Sequence, residues 1–196
     1  MMTAAEIIDR SQKPTLINNA VPNGFIPQEI VYRRLGLDCR RYCFAYEMLE
    51  KPTVNGAHPE FKPIEEFTQE ILASRYSTKG RDLEEIKPLD ITISRHAYIV
   101  MELPAGWTFS PDAMLPGITL GGPNPDSDAY GQLRYVIKGK PPSADPVSNC
   151  SLVYFSAINR SGTPPYYQPL NFNIVIGDGV AVLVDPDIRF PGGGIS

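Results

Sequence analysis

The sequence predicts an α+β protein: N-terminal short helices followed by an antiparallel β-sandwich. Three observations carry this. The residue pattern changes near Pro88, from short apolar stripes at helical spacing to two-residue alternation. In the first alternating segment Ile91, Ile93, Ala97, Ile99, Met101 and Leu103 fall on one side, and Thr92, Ser94, His96 and Glu102 on the other. Successive side chains of a strand point to opposite faces, so this pattern marks a half-buried strand. Proline- and glycine-rich breaks then recur between further short apolar runs, the rhythm of an all-β module.

Taken in chain order, Thr3-Ala-Ala-Glu6 has the form of a capping box and opens a helix over 4–11. Residues 12–26, with Pro14, Pro22 and Gly24, read as a loop. Pro27 suits a first helical turn, Ile30, Val31 and Leu35 give the stripe, and Gly36 ends it. Asp38 would cap a helix over 39–50, with Cys39, Tyr42, Cys43, Tyr46 and Leu49 on one face. Pro63 opens a fourth helix that buries Ile64, Phe67, Ile71 and Leu72, with Glu65 and Glu66 in its favourable first turn. Residues 77–88 are polar and read as the connection between the halves.

Beyond Pro88, strands are expected near 90–103, 116–120, 132–138, 149–159, 169–177 and 180–185. Leu133, Tyr135 and Ile137 alternate with polar neighbours, as do Leu170, Phe172, Ile174 and Ile176. The segment from Cys150 to Ile158 is apolar on both faces, as a central strand would be. Gly177-Asp178-Gly179 is a hairpin signal, because these residues tolerate positive φ. The expected division is a helical segment over 1–88, packed on the sandwich, the sandwich over 89–190, and a mobile tail over 191–196. In strand rhythm the region 90–186 resembles immunoglobulin-like and fibronectin-like modules. It lacks their Cys…Trp…Cys spacing, and the resemblance implies a scaffold without a function.

Composition narrows the class. With 196 residues, 42% hydrophobic and 20% charged, the chain is ordinary globular material. Proline is abundant at 20 residues, of which 13 follow Pro88. Net charge is −4, and the 18 basic side chains are balanced by 22 acidic ones, which argues against general nucleic-acid binding. Three cysteines do not form a secreted disulfide framework. No leader pattern and no apolar run of the ~20 residues a spanning helix needs are seen, so a cytoplasmic protein without membrane association is expected.

Four groups of residues offer chemistry. Trp107, Tyr130, Tyr166 and Tyr167 lie in or near loops, where flat rings bind proteins or glycans with little entropy loss. Arg33, Arg34, Arg40 and Arg41 cluster about the Gly36 turn and could pair with an anionic partner. Asp126 and Asp128, after Asn124, have the alternating oxygen spacing of a calcium loop, although Ala129 and Tyr135 occupy the positions where an EF-hand needs glycine and glutamate. Cys39, Cys43, His58 and His96 fit no common zinc spacing. Glu102 could serve acid–base work with a loop aspartate, but no Gly-x-Ser-x-Gly elbow or phosphate loop is present. The expectation is a non-catalytic binding or structural protein that assembles with a protein partner or with itself through loops or a sheet edge. The alternatives are a calcium-assisted glycan-binding module and a hydrolase with acidic residues at one end of the sandwich.

Overall fold

The computed structural model describes residues 14–35, 41–46, 64–74, 84–87, 91–159, 165–177, 179–184 and 187–190, with the backbone alone at 41–46, 74, 84–87 and 187. The chain is mostly β-sheet, with two mixed sheets and one α-helix among the described residues. In order, the elements are β1 (Thr15–Leu16), β2 (Glu29–Leu35), β3 (Arg41–Tyr46), α1 (Ile64–Ser74), β4 (Glu84–Lys87), β5 (Ile91–Thr92), β6 (Ala97–Glu102), β7 (Trp107–Phe109), β8 (Ile118–Leu120), β9 (Tyr130–Val136), β10 (Leu152–Ala157), β11 (Tyr166–Ile176), β12 (Val180–Val184) and β13 (Asp187–Phe190). A 3-10 turn, Ser127–Ala129, precedes β9. No helix among the described residues is long and apolar enough to cross a membrane.

The six-stranded sheet has the order β4-β3-β2-β6-β10-β9. The seven-stranded sheet runs β1-β8-β11-β13-β5, with β7 and β12 also paired to β11. Two pairs are parallel, β2 with β6 and β13 with β5, so neither sheet is purely antiparallel as expected. One cluster of buried side chains draws on both sheets: Val31, Ile99, Met101, Val153 and Phe155 from one, and Phe109, Ile118, Leu170, Phe172 and Ile174 from the other.

The expected helices at 27–36 and 39–50 are corrected. Residues 29–35 and 41–46 are adjacent antiparallel strands, with Ile30 opposite Tyr46 and Leu35 opposite Arg41. The physical reason lies in β2, whose Ile30, Val31 and Tyr32 are β-branched or aromatic and favour extended backbone. The strand is buried on both faces: Val31 and Leu35 join the core between the sheets, while Ile30 and Tyr32 face the helix side. What reads as a helical stripe is a two-sided strand. The connection at 77–88 likewise contains a strand, β4. The expected helix over 4–11 and the tail over 191–196 lie outside the described residues.

Helix α1 is the fourth expected helix. Its Ile64, Phe67 and Ile71 are buried against Ile30, Tyr32, Val100, Val136, Leu152 and Tyr154 on the outer face of the six-stranded sheet. Burying each of these large side chains contributes roughly 1.5–3 kcal/mol. Gln69 ties the helix to the end of β9, its Nε2 donating to Ile137 O at 3.1 Å and its Oε1 accepting from Gly139 N at 2.9 Å.

The strand expected over 90–103 is divided between the sheets, β5 in one and β6 in the other. Its apolar face survives the crossing: Ile91, Ile93, Ala97, Ile99 and Met101 are all fully buried in the shared core. β11 organises the second sheet by changing neighbours along its length. On one edge it pairs β8 through Leu170–Phe172 and β7 through Ile174–Ile176. Asn173 bridges that change, its N–H donating to Gly117 O and its carbonyl accepting from Ser110 N, both at 2.8 Å. The buried Asn173 amide also donates to Pro116 O at 2.7 Å.

Candidate functional site

The outer face of the six-stranded sheet carries a band of polar and aromatic side chains beside α1. Tyr32 is fully buried, and its hydroxyl donates to Glu102 Oε2 across the parallel β2–β6 pair. Arg34 Nε stands 3.9 Å from the same oxygen. Further along, Tyr98 donates to Gln132 Oε1 at 3.1 Å and Tyr154 to Glu65 Oε1 at 3.3 Å. Phe25, Tyr98 and Tyr154 meet edge to face, with centroids 5.0 and 5.8 Å apart. Burial pushes the Tyr98 and Tyr154 hydroxyls above the ordinary phenol range, and the Glu65 carboxylate pushes both further. These phenols are neutral donors at physiological pH, and their donations fasten the helix and the sheet.

Glu102 therefore serves as an acceptor between Tyr32 and Arg34. Replacing it by alanine removes a charged acceptor from a buried phenol and is expected to cost about 1–3 kcal/mol in a urea titration. Glu102→Gln keeps an acceptor oxygen and is expected to lose less.

The four aromatic residues expected on binding loops are distributed differently. Trp107 lies in β7 opposite Ile176 and is only 9% exposed. Tyr130 is buried and packs on Phe155 and Phe190 at 5.7 and 5.8 Å. Both seal the core, which corrects their expected place at the surface: a ring that fills the interior has no face left for a ligand. Tyr166 stacks on Phe190 at 4.7 Å and is half-buried. Tyr167, the next residue of the same strand, is 60% exposed with the Arg189 guanidinium 5.9 Å from its ring centroid. Strand alternation sends the two neighbours to opposite faces.

The arginine cluster is split for the same reason. Arg34 faces Glu102 on the outer side, whereas Arg33 lies on the side of Val31 and Leu35 and donates from Nη1 to Tyr32 O at 3.0 Å. Arg41 is described as backbone only, and Arg40 lies outside the described residues. Asp126 caps the 3-10 turn, its Oδ1 accepting from Asp128 N at 3.1 Å, while its own N–H donates to the buried Gln168 Oε1 at 2.7 Å. Asp128 and Asn124 are exposed. One oxygen of the carboxylate expected to hold calcium thus takes part in turn chemistry. Among the described residues no group of three or more His, Cys, Asp or Glu is disposed to hold a metal. Cys39 and His58 lie outside those residues, and Cys43 is described only as β3 backbone. Cys150 is a free, fully buried thiol whose pKa burial pushes up.

One open cleft of about 440 Å³ lies between the end of β9 and the loop that follows, lined by Tyr135, Ile137, Pro141, Ser143 and Val147. Among the described residues of its lining, Lys140 is the single charged one.

The feature that sequence reasoning missed is the edge of the seven-stranded sheet at β12. Its residues, Val180-Ala-Val-Leu-Val184, carry no charge. One edge of β12 pairs with β11, from Ile176–Val180 to Phe172–Val184. No strand among the described residues pairs with the other edge. Val180 is 64% exposed and Leu183 41% exposed. β13 follows β12 along the same side of β11, and there β5 covers the edge at Ile188 and Arg189. The sequence shows an apolar strand next to a hairpin turn, and its place at an edge follows from the pairing along β11. Edge strands usually carry lysine, proline or a bulge to prevent pairing, and β12 has none of these.

Neither a scan against protein-family models nor a search of curated proteins finds a match to this chain.

Proposed function

We propose that this chain is a non-catalytic binding or assembly protein, built on a β-sandwich of immunoglobulin-like rhythm, whose contact surface is an open sheet edge. The observation that carries this reading is β12, an uncharged strand with one edge that no strand among the described residues pairs, and with exposed Val180 and Leu183. Unpaired N–H and C=O groups on such an edge accept a further strand, and the side chains beside them add apolar contact. The carboxylate best placed for acid–base work, Glu102, is held by Tyr32 and Arg34. A cytoplasmic setting belongs to the same reading.

Light scattering on the full chain over a concentration series tests the proposal. The mean mass is expected to rise above that of one chain with concentration. A mass fixed at one chain up to about 1 mM, where an association of about 4 kcal/mol is half complete, would overturn the assembly reading.

A further inference from the structure

We infer that two copies of this chain pair edge to edge through β12, antiparallel about a two-fold axis at Val182. The inference rests on the assembly reading and specifies its partner, register and closure.

The strand is complementary to itself. An antiparallel pair centred on Val182 places Val180 opposite Val184, Ala181 opposite Leu183, and Val182 opposite its own copy. Direct cross-strand neighbours have Cβ atoms roughly 4.5–5.5 Å apart, so side-chain size at each position matters. The largest residue of the strand meets the smallest, twice, and the valines meet valines. Moving the centre to Leu183 would set two leucines against each other and leave Val180 and Ala181 beyond the paired segment.

Position on the sheet supports the same register. Val180, Val182 and Val184 oppose Ile176, Ile174 and Phe172 of β11, on the side of the core, and Val184 packs against that core. Exposed Val180 of one chain would then lie beside half-buried Val184 of the other, extending each core toward its neighbour. Ala181 and Leu183 lie on the outer side, opposite Val175 and Asn173. Charge is compatible as well: none of the residues brought together is charged, so the two-fold opposes no like charges.

Area sets the strength. Five residues give a contact line of about 17 Å, too short to bury the roughly 800 Å² per partner of a standard stable interface. The expected state is a reversible dimer with a dissociation constant between about 1 μM and 1 mM. An isologous contact closes at two copies.

Cross-linking of the full chain under mild oxidation reads the register, with the wild-type chain as the control for native thiols. At the two-fold, the paired Cα atoms stand about 4.5–5.5 Å apart, within disulfide range. V182C is therefore expected to form a covalent dimer. V180C places its two thiols about 14 Å apart along the strands and is expected to cross-link at least about tenfold less. L183K changes an exposed side chain, so it is expected to leave the melting temperature unchanged while weakening dimerisation at least about tenfold. The A181E/L183K double variant, which sets opposite charges across the pair, is expected to restore it. Association that is indifferent to L183K, or equal cross-linking of V180C and V182C, would overturn the β12 pairing while leaving the assembly reading intact. Growth past two copies would overturn the two-fold closure. A wild-type chain that stays monomeric at every concentration would overturn both.

Discussion

Phe172→Ala is expected to lower the unfolding free energy by about 3–5 kcal/mol. Phe172 is fully buried near the middle of β11. There the strand is paired on both edges, opposite Ile118 of β8 and Val184 of β12. Its ring belongs to the cluster shared by both sheets. Deleting it removes the transfer free energy of a phenyl group, and a close-packed interior can only partly collapse around the void. Urea unfolding followed by circular dichroism checks this, with a lower midpoint and an unchanged slope expected. Phe25→Ala, at a half-buried ring outside that cluster, is expected to lose clearly less. Equal losses for the two would mean that the shared core does not hold the sheets.

Stability is also expected to fall steeply in alkali. Burial pushes the Tyr135 hydroxyl up to about 12, against an ordinary phenol value near 10, with a smaller contribution from neighbouring Cys150. The sign follows from proton counts. Between these two values the unfolded chain has released its phenol proton and the folded chain still holds it, so raising the pH favours unfolding. The contribution is complete below about pH 10 and is lost as the pH rises through about 12, amounting to about 2–3 kcal/mol. Tyr98 and Tyr154 are raised in the same direction and steepen the fall. Chemical denaturation between pH 8 and 12 measures it, in a range chosen to span both values. Tyr135→Phe is expected to flatten the alkaline slope. The same variant costs about 1–3 kcal/mol at neutral pH, because the hydroxyl also accepts the Gly117 N–H at 3.0 Å.

The contrast between legible and illegible parts has a physical basis. β9 and β11 could be read from Leu133, Tyr135, Leu170, Phe172 and Ile174, because one face of each meets the core and the other is polar. α1 could be read because Ile64, Phe67 and Ile71 keep helical spacing after a proline. β2 could not, because α1 covers its second face, and burial on both sides erases alternation. The two parallel pairings join segments far apart in sequence, and no local signal announces them. Trp107 and Tyr130 misled for another reason: they stand beside proline and glycine yet begin strands that turn inward. As for the candidate site, composition identified β12 as a strand. That it is an edge depends on which strands take the other positions along β11, a property of topology rather than of residues 180–184.

The parallel β2–β6 pair has a consequence for synthesis. Tyr32 and Glu102, joined across it, are 70 positions apart in the chain. While the ribosome is still making the intervening stretch, Ile30, Val31 and Tyr32 have emerged without the strand they lie against, and delayed long-range pairing of this kind exposes a nascent chain to aggregation. Chaperone demand should therefore peak before residue 102 appears, and truncations ending ahead of β6 should be recovered as insoluble material.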